Sequence, residues 1–139
     1  MTLADDVKTV LTNNAPLMAI LTGGVYAGVE EISRQNTPGA FDHNKEIRPC
    51  ALIKLGTEVP FRAAGITNAV QSPVTVYFYQ RLGYAEIAEA EEIVFDLLND
   101  AKISDGMWRM EFDIVNFNLR DTALDCAMIS IRLTAKRLR

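Results

Sequence analysis

The single histidine, His43, stands in the run Asp42-His43-Asn44-Lys45, with Glu46 and Cys50 close behind it. An imidazole among carboxylates and a thiol is raw material for a zinc site, but zinc wants three or four ligands at characteristic spacings. No CxxC, HxH or HExxH pattern occurs, so His43 reads as a solvated loop histidine. The same residue would have to be the base of any catalytic triad. No serine lies in a G-x-S-x-G elbow, and neither Cys50 nor Cys126 has the cationic surroundings of a reactive thiolate. Gly23-Gly24 and Gly28 are not followed by the Lys-Ser/Thr pair of a phosphate loop. Glu86, Glu89, Glu92 and Asp96 could do paired acid–base work, yet helical spacing gathers them on one polar, solvated face. No catalytic, cofactor-binding or metal-binding constellation results. An enzyme is not expected, nor is a cofactor.

The bulk numbers fit a single soluble domain. The chain has 139 residues, of which 49% are hydrophobic and 23% charged. At that length about two thirds of the unfolded surface can be buried, so neither disulfide nor metal is required for folding. The two cysteines sit in separate apolar runs and read as buried thiols packing like small hydrophobes. Whether they could pair depends on a strand register that sequence does not give. Fourteen basic residues stand against eighteen acidic ones, a net charge of −4. Tight nonspecific grip on nucleic acid comes from Lys and Arg that displace counterions, and this chain lacks that footprint as a whole. Asp5 and Asp6 occupy the place of a signal peptide's cationic region. The apolar runs fall well short of the roughly twenty residues that span a bilayer. A soluble protein made in a reducing cytoplasm is expected.

The elements that would position these residues follow from periodicity. Leu3, Val7, Val10 and Leu11 give the N-terminus a helical stripe, with Thr2 available as cap. Asn14 before Ala15-Pro16, then Leu17, Ile20 and Leu21, predicts a second short helix stopped by Gly23-Gly24. Residues 25–49 have no period, and Thr37-Pro38-Gly39 is a turn signal within them. Residues 50–55 form a short apolar strand. Residues 60–73 read as a mobile loop or arm. In residues 74–81, Val74, Val76 and Phe78 alternate with Thr75, Tyr77 and Tyr79, a strand with two usable faces. Residues 84–101 form the clearest helix, with Ile87, Ala90, Val94, Leu97, Leu98 and Ala101 in one stripe and Ser104-Asp105-Gly106 ending the unit.

Two strands close the chain. Trp108, Met110, Phe112 and Ile114 share one face of the first. Ala127, Ile129, Ile131 and Leu133 share one face of the second, and residues 118–123 form the turn between them. This order predicts an α+β domain with a mainly antiparallel sheet and helices packed on one face.

Two features point to assembly. Thr75, Tyr77, Tyr79 and Arg81 lie on the strand face not needed for the core, and Tyr and Arg are enriched at interface centres. The alternative is a sheet covered on both sides by the domain's own helices. The C-terminal Lys136-Arg137-Leu138-Arg139 reads as a small basic tail, either solvated or facing an acidic neighbour or a DNA backbone.

Several stretches resemble the tail terminator and tail-completion proteins of long-tailed bacteriophages. They are Gly23-Gly24-Val25-Tyr26, Glu31-Ile32-Ser33-Arg34 through Thr37-Pro38-Gly39-Ala40-Phe41, and Arg48-Pro49-Cys50-Ala51-Leu52. The aromatic strand running into Tyr79-Gln80-Arg81-Leu82-Gly83-Tyr84 and the later Leu119-Arg120-Asp121 complete the set. The resemblance implies a virion protein, one small α+β domain that forms a ring, hexameric in the family, on the head-proximal end of the tail tube. It further implies three partners besides the chain itself: the tail tube protein, the head-tail connector or stopper protein, and DNA passing through the lumen without specific binding. No membrane is implied. Ring closure needs heterologous contacts, for which Tyr77, Tyr79, Arg81, Arg120 and Asp121 are the candidates, with the 60–73 arm reaching a neighbour or the tube. Arg120-Asp121 could equally form an intrachain salt bridge pinning the turn. Two alternatives stay open: a head-closure or connector-completion protein, and a cytosolic oligomeric enzyme or ligand-binding domain with a pocket near Arg120 and residues 37–41.

Overall fold

A computed structural model describes residues 2–60 and 68–138. Helix α1 (Leu3–Thr12) begins with a reciprocal cap. The Asp5 amide donates to the Thr2 hydroxyl at 3.2 Å, while the Thr2 amide donates to the Asp5 carboxylate at 3.4 Å. Helix α2 (Ala15–Ile20) starts at Asn14, whose side chain accepts from the Leu17 amide at 2.9 Å. Both helices are placed as their caps predict.

Seven strands follow among the described residues: β1 (Val25–Ala27), β2 (Cys50–Leu55), β3 (Val59–Pro60), β4 (Ala69–Gln80), β5 (Lys102–Ile103), β6 (Trp108–Asp121) and β7 (Cys126–Leu138). Helix α3 (Ala85–Leu98) separates β4 from β5. The sheet order is β1-β2-β4-β7-β6-β5, with β3 pairing on β4 beside β2. Among the described residues β1 with β2 is the parallel pair, and the other pairs are antiparallel. The result is the expected α+β domain with its helices on one face.

That face carries the main core. Val7, Leu11 and Leu17 from the first two helices, and Ile87, Val94 and Leu98 from α3, pack on Val76, Phe78, Met110, Ile129, Ile131 and Leu133. Each of these side chains is buried, as the alternation in β4 and β7 requires. The buried Gln80 locks α3 to the sheet: its carboxamide oxygen accepts from the Ile87 amide at 3.1 Å, and its amide donates to the Leu82 carbonyl at 2.7 Å. It supplies from β4 the cap that Tyr84, at the helix N-terminus, does not provide.

Five expectations are corrected. Residues 25–49 are not without regular structure, because Val25–Ala27 adds a parallel edge strand and Pro38–Ala40 a 3-10 turn. The 60–73 stretch is not an arm throughout: Val59–Pro60 pairs with Val70 and Gln71, and β4 begins at Ala69. Residues 61–67 lie outside the described residues. The last turn is shorter than residues 118–123, since β6 runs on to Asp121 through Asn118, whose φ of 58° reads locally as a turn. Ile114 does not share a face with Trp108. A bulge at Asp113 sets Ile114 opposite Arg132, on the side away from the helices. Lys136 to Leu138 are no tail but the end of β7.

Candidate assembly surfaces

The face of the sheet opposite the helices is built from Thr75, Tyr77 and Tyr79 on β4 and their register partners Arg132, Ser130 and Met128 on β7. At one end of this face the 28–49 loop folds back over the strands. Ile32, Ala40, Phe41 and Ile47 from the loop bury against Cys50, Leu52, Tyr79 and Cys126. The loop is held by its own polar side chains. The Asp42 carboxylate accepts from the Asn44 and Glu46 amides at 2.8 and 3.0 Å. Arg34 lies over the Phe41 ring at 5.0 Å while donating to the Lys45 carbonyl. Covering on both sides therefore does occur at this end, but a loop provides the second layer instead of helices.

The five residues expected at an interface fall into two settings. Tyr77, Tyr79, Arg81 and Asp121 are brought to the same end of this face, the end that the 28–49 loop covers. Tyr79 is only 5% exposed, and burial, with the Asp121 carboxylate next in importance, pushes its hydroxyl well above the usual tyrosine range. Tyr77 is half-buried at the margin of the loop layer. Arg81 is exposed and pairs with Glu46 at 2.9 Å. Asp121 accepts from the Leu124 amide at 2.9 Å. Arg120 sits opposite Ala127, in alternate register, and its guanidinium pairs with Asp125. An intrachain ion pair does pin the β6–β7 turn, though Asp125 is the partner and not Asp121.

Cys50 and Cys126 are buried and unpaired, with β4 lying between their strands. Desolvation raises their thiols to about 12 and about 11. His43 is exposed at the tip of the Asp42 turn, and among the described residues no cluster of His, Cys, Asp or Glu could hold a metal ion.

On the helix side, α3 and β6 diverge to leave a groove of about 370 Å³ that periodicity did not reveal. Phe95, Phe112, Val115 and Phe117 line it together with Glu91, Glu92 and Asp96. Two register shifts in β6, between Phe112 and Ile114 and between Asn116 and Leu119, break the alternation that would have placed Phe117. Its one legible signal is the apolar density of residues 112–119. Glu91 has the same residue type as its exposed acidic neighbours but is only 5% exposed, a difference that helical spacing of charges does not signal. Desolvation, followed by the charges of Glu92 and Asp96, raises its carboxyl pKa.

A second surface lies at the far end of the sheet. Lys102, Arg109 and Lys136 line up across β5, β6 and β7, flanked by the exposed Met107 and Leu138. Arg137 stacks on Trp108 at 4.8 Å and reaches Glu58 at 3.6 Å.

The architecture has a known counterpart. A chain in the virion of a native gene transfer agent (GTA) particle superposes with a TM-score of 0.66 at 19% identity, covering 99% of this chain and 95% of that one. The likeness thus concerns the whole domain rather than one supersecondary unit, and at that identity it is a likeness of fold. No protein-family model matches the chain. No curated protein matches it either. No helix among the described residues is long and apolar enough to cross a membrane.

Proposed function

We propose that this chain is a structural protein of a phage-type virion, and within it the ring-forming terminator that caps the head-proximal end of the tail tube. The observation that carries the reading is the near end-to-end fold likeness to a chain of the gene transfer agent virion. The motif resemblance to tail terminators supports the finer assignment.

Termination on this reading is blocking by shape. One side of the ring matches the growing tube end, and the other lacks the surface that recruits a further tube subunit and instead meets the head connector or stopper. Closure follows when the rotation between heterologous contacts closes after a fixed number of copies, six in the family resembled. Tyr77, Arg81, Arg120 and Asp121 are candidates for the contacts, with Tyr79 supporting them from beneath. A net charge of −4 suits a lumen through which DNA slides, since each phosphate contact would strengthen binding.

Gold-labelled antibody against the chain, applied to isolated tails and to whole particles, tests the position. One label per tail, at the head-proximal end of isolated tails, is the expected result. Label confined to tail-free heads would instead favour a head-closure protein, and label along the tube would overturn both.

A further inference from the structure

We propose that the acidic aromatic groove between α3 and β6 receives a second copy of this chain, which inserts the basic sheet end carrying Lys102 and Arg109 with Met107 and Leu138. This rests on the ring reading above and adds to its subunit contact a pair of surfaces separate from Tyr77, Arg81, Arg120 and Asp121. Three observations argue for it. First, the groove is unfinished in the isolated chain. Phe117 is 51% exposed and Phe112 39%. Glu91 is nearly buried between Glu92 and Asp96 without a cation or hydrogen-bond donor from the described residues. Glu91 lines the groove, where partial desolvation and the neighbouring Glu92 and Asp96 charges disfavour its ionised form, and a cation brought there offsets both. Second, the start of β6 and its neighbours β5 and β7 offer the complement on the other face of the sheet. Met107 and Leu138 are 56% and 65% exposed beside Lys102 and Arg109. Arg109 approaches Asp100 only to 3.8 Å, whereas Lys136 is held by Glu111 at 2.7 Å. Aliphatic side chains can fill the aromatic groove while the cations meet its acidic rim.

Third, the two surfaces lie on opposite sides of the sheet. Phe112 pairs with Leu133, which packs against the helices. Arg109 pairs with Lys136 and Lys102, in register with the face opposite the helices. A contact between two different, oppositely facing patches is heterologous, the kind of contact that generates a ring when its rotation closes.

Disulfide trapping on the full chain tests the contact, with and without tube protein. The Phe117→Cys/Met107→Cys double variant is expected to give a ladder of linked dimers and larger species, at least tenfold above either single variant. Adding Glu92→Lys and Asp96→Lys should abolish the ladder, and adding Lys102→Glu and Arg109→Glu to that same chain should restore it. A merely unfolded variant would not be rescued in this way. A ladder no stronger than the singles, or one indifferent to the charge reversals, overturns the proposal. So does trapping of the Phe117→Cys thiol on tube or connector protein instead. If trapping fails while the wild-type chain still limits tube length, the contact is wrong and the terminator reading stands. If trapping succeeds but tubes grow without limit, the reverse holds.

Discussion

The ring of Phe112 stands edge-on to that of Phe95, with centroids 5.0 Å apart and planes at 74°. This pair bolts α3 to the outer long strand, and the same two rings form the floor of the acidic groove. Edge-to-face pairs add about 1 kcal/mol beyond their area burial. Because Phe112 is also partly exposed, Phe112→Ala should cost roughly 2 kcal/mol, below the 3–5 kcal/mol typical of a fully buried phenylalanine. Urea titration followed by tryptophan fluorescence measures it, with Trp108 reporting from the same strand. A loss as large as that of Phe78→Ala would show that Phe112 belongs to the closed core.

Gln80 makes a different prediction, because its value lies in one cap. Gln80→Ala leaves the Ile87 amide without its acceptor in a buried setting. The expected loss is about 1–2 kcal/mol, with fraying at the start of α3. Amide exchange at Ile87 should accelerate in the variant while exchange in the β4–β7 ladder changes only as much as global stability does. Unchanged exchange at Ile87 would contradict the cap.

Glu91 sets a pH signature. Its folded-state pKa is raised, so between the unfolded value of about 4.3 and the folded value the native state binds the extra proton. Its contribution is therefore most favourable below the unfolded value and is lost as pH rises through the folded one. Glu91→Gln should remove that fall and leave the variant more stable than the wild type at neutral pH. Melting temperatures measured from pH 4 to 7 decide this, and parallel curves for the two proteins would refute it.

The two thiols should be inert in the folded chain. With pKa values of about 12 and about 11, Cys50 and Cys126 expose thiolate fractions on the order of one in ten thousand and one in a thousand at pH 8. Ellman's reagent should titrate neither within minutes under native conditions, and both in guanidinium. Rapid labelling of either native thiol would contradict its burial.

How much of this was legible in the residues differs from element to element. The Cys50–Leu55 strand stands where its apolar run puts it, because it is buried on both faces, and α3 follows its helical stripe but ends at Leu98, short of the expected Ala101. Val25–Ala27 was invisible because three residues are too few to show a period, and its partner Ala51 lies far along the chain. Residues 69–73 were hidden by Pro73, which opposes Thr134 inside β4 although proline ordinarily signals a loop. The aromatic groove escaped for a related reason. Two bulges in β6 reset the register, so the side of the sheet on which Phe117 lies is decided by β7 and not by its own neighbours. Tyr77, Tyr79 and Arg81 stand out by residue type and Asp121 by the family resemblance, and their gathering at the loop-covered end of one face depends on the β4–β7–β6 order that no local pattern encodes.

The most direct test of the terminator role is to add the purified chain to polymerising tube protein from the same particle and measure tube lengths by electron microscopy. Substoichiometric addition should stop growth, give short tubes whose length falls as the chain is added earlier, and leave a ring at one end of each. Tubes that reach the same uncontrolled length with and without the chain would contradict it.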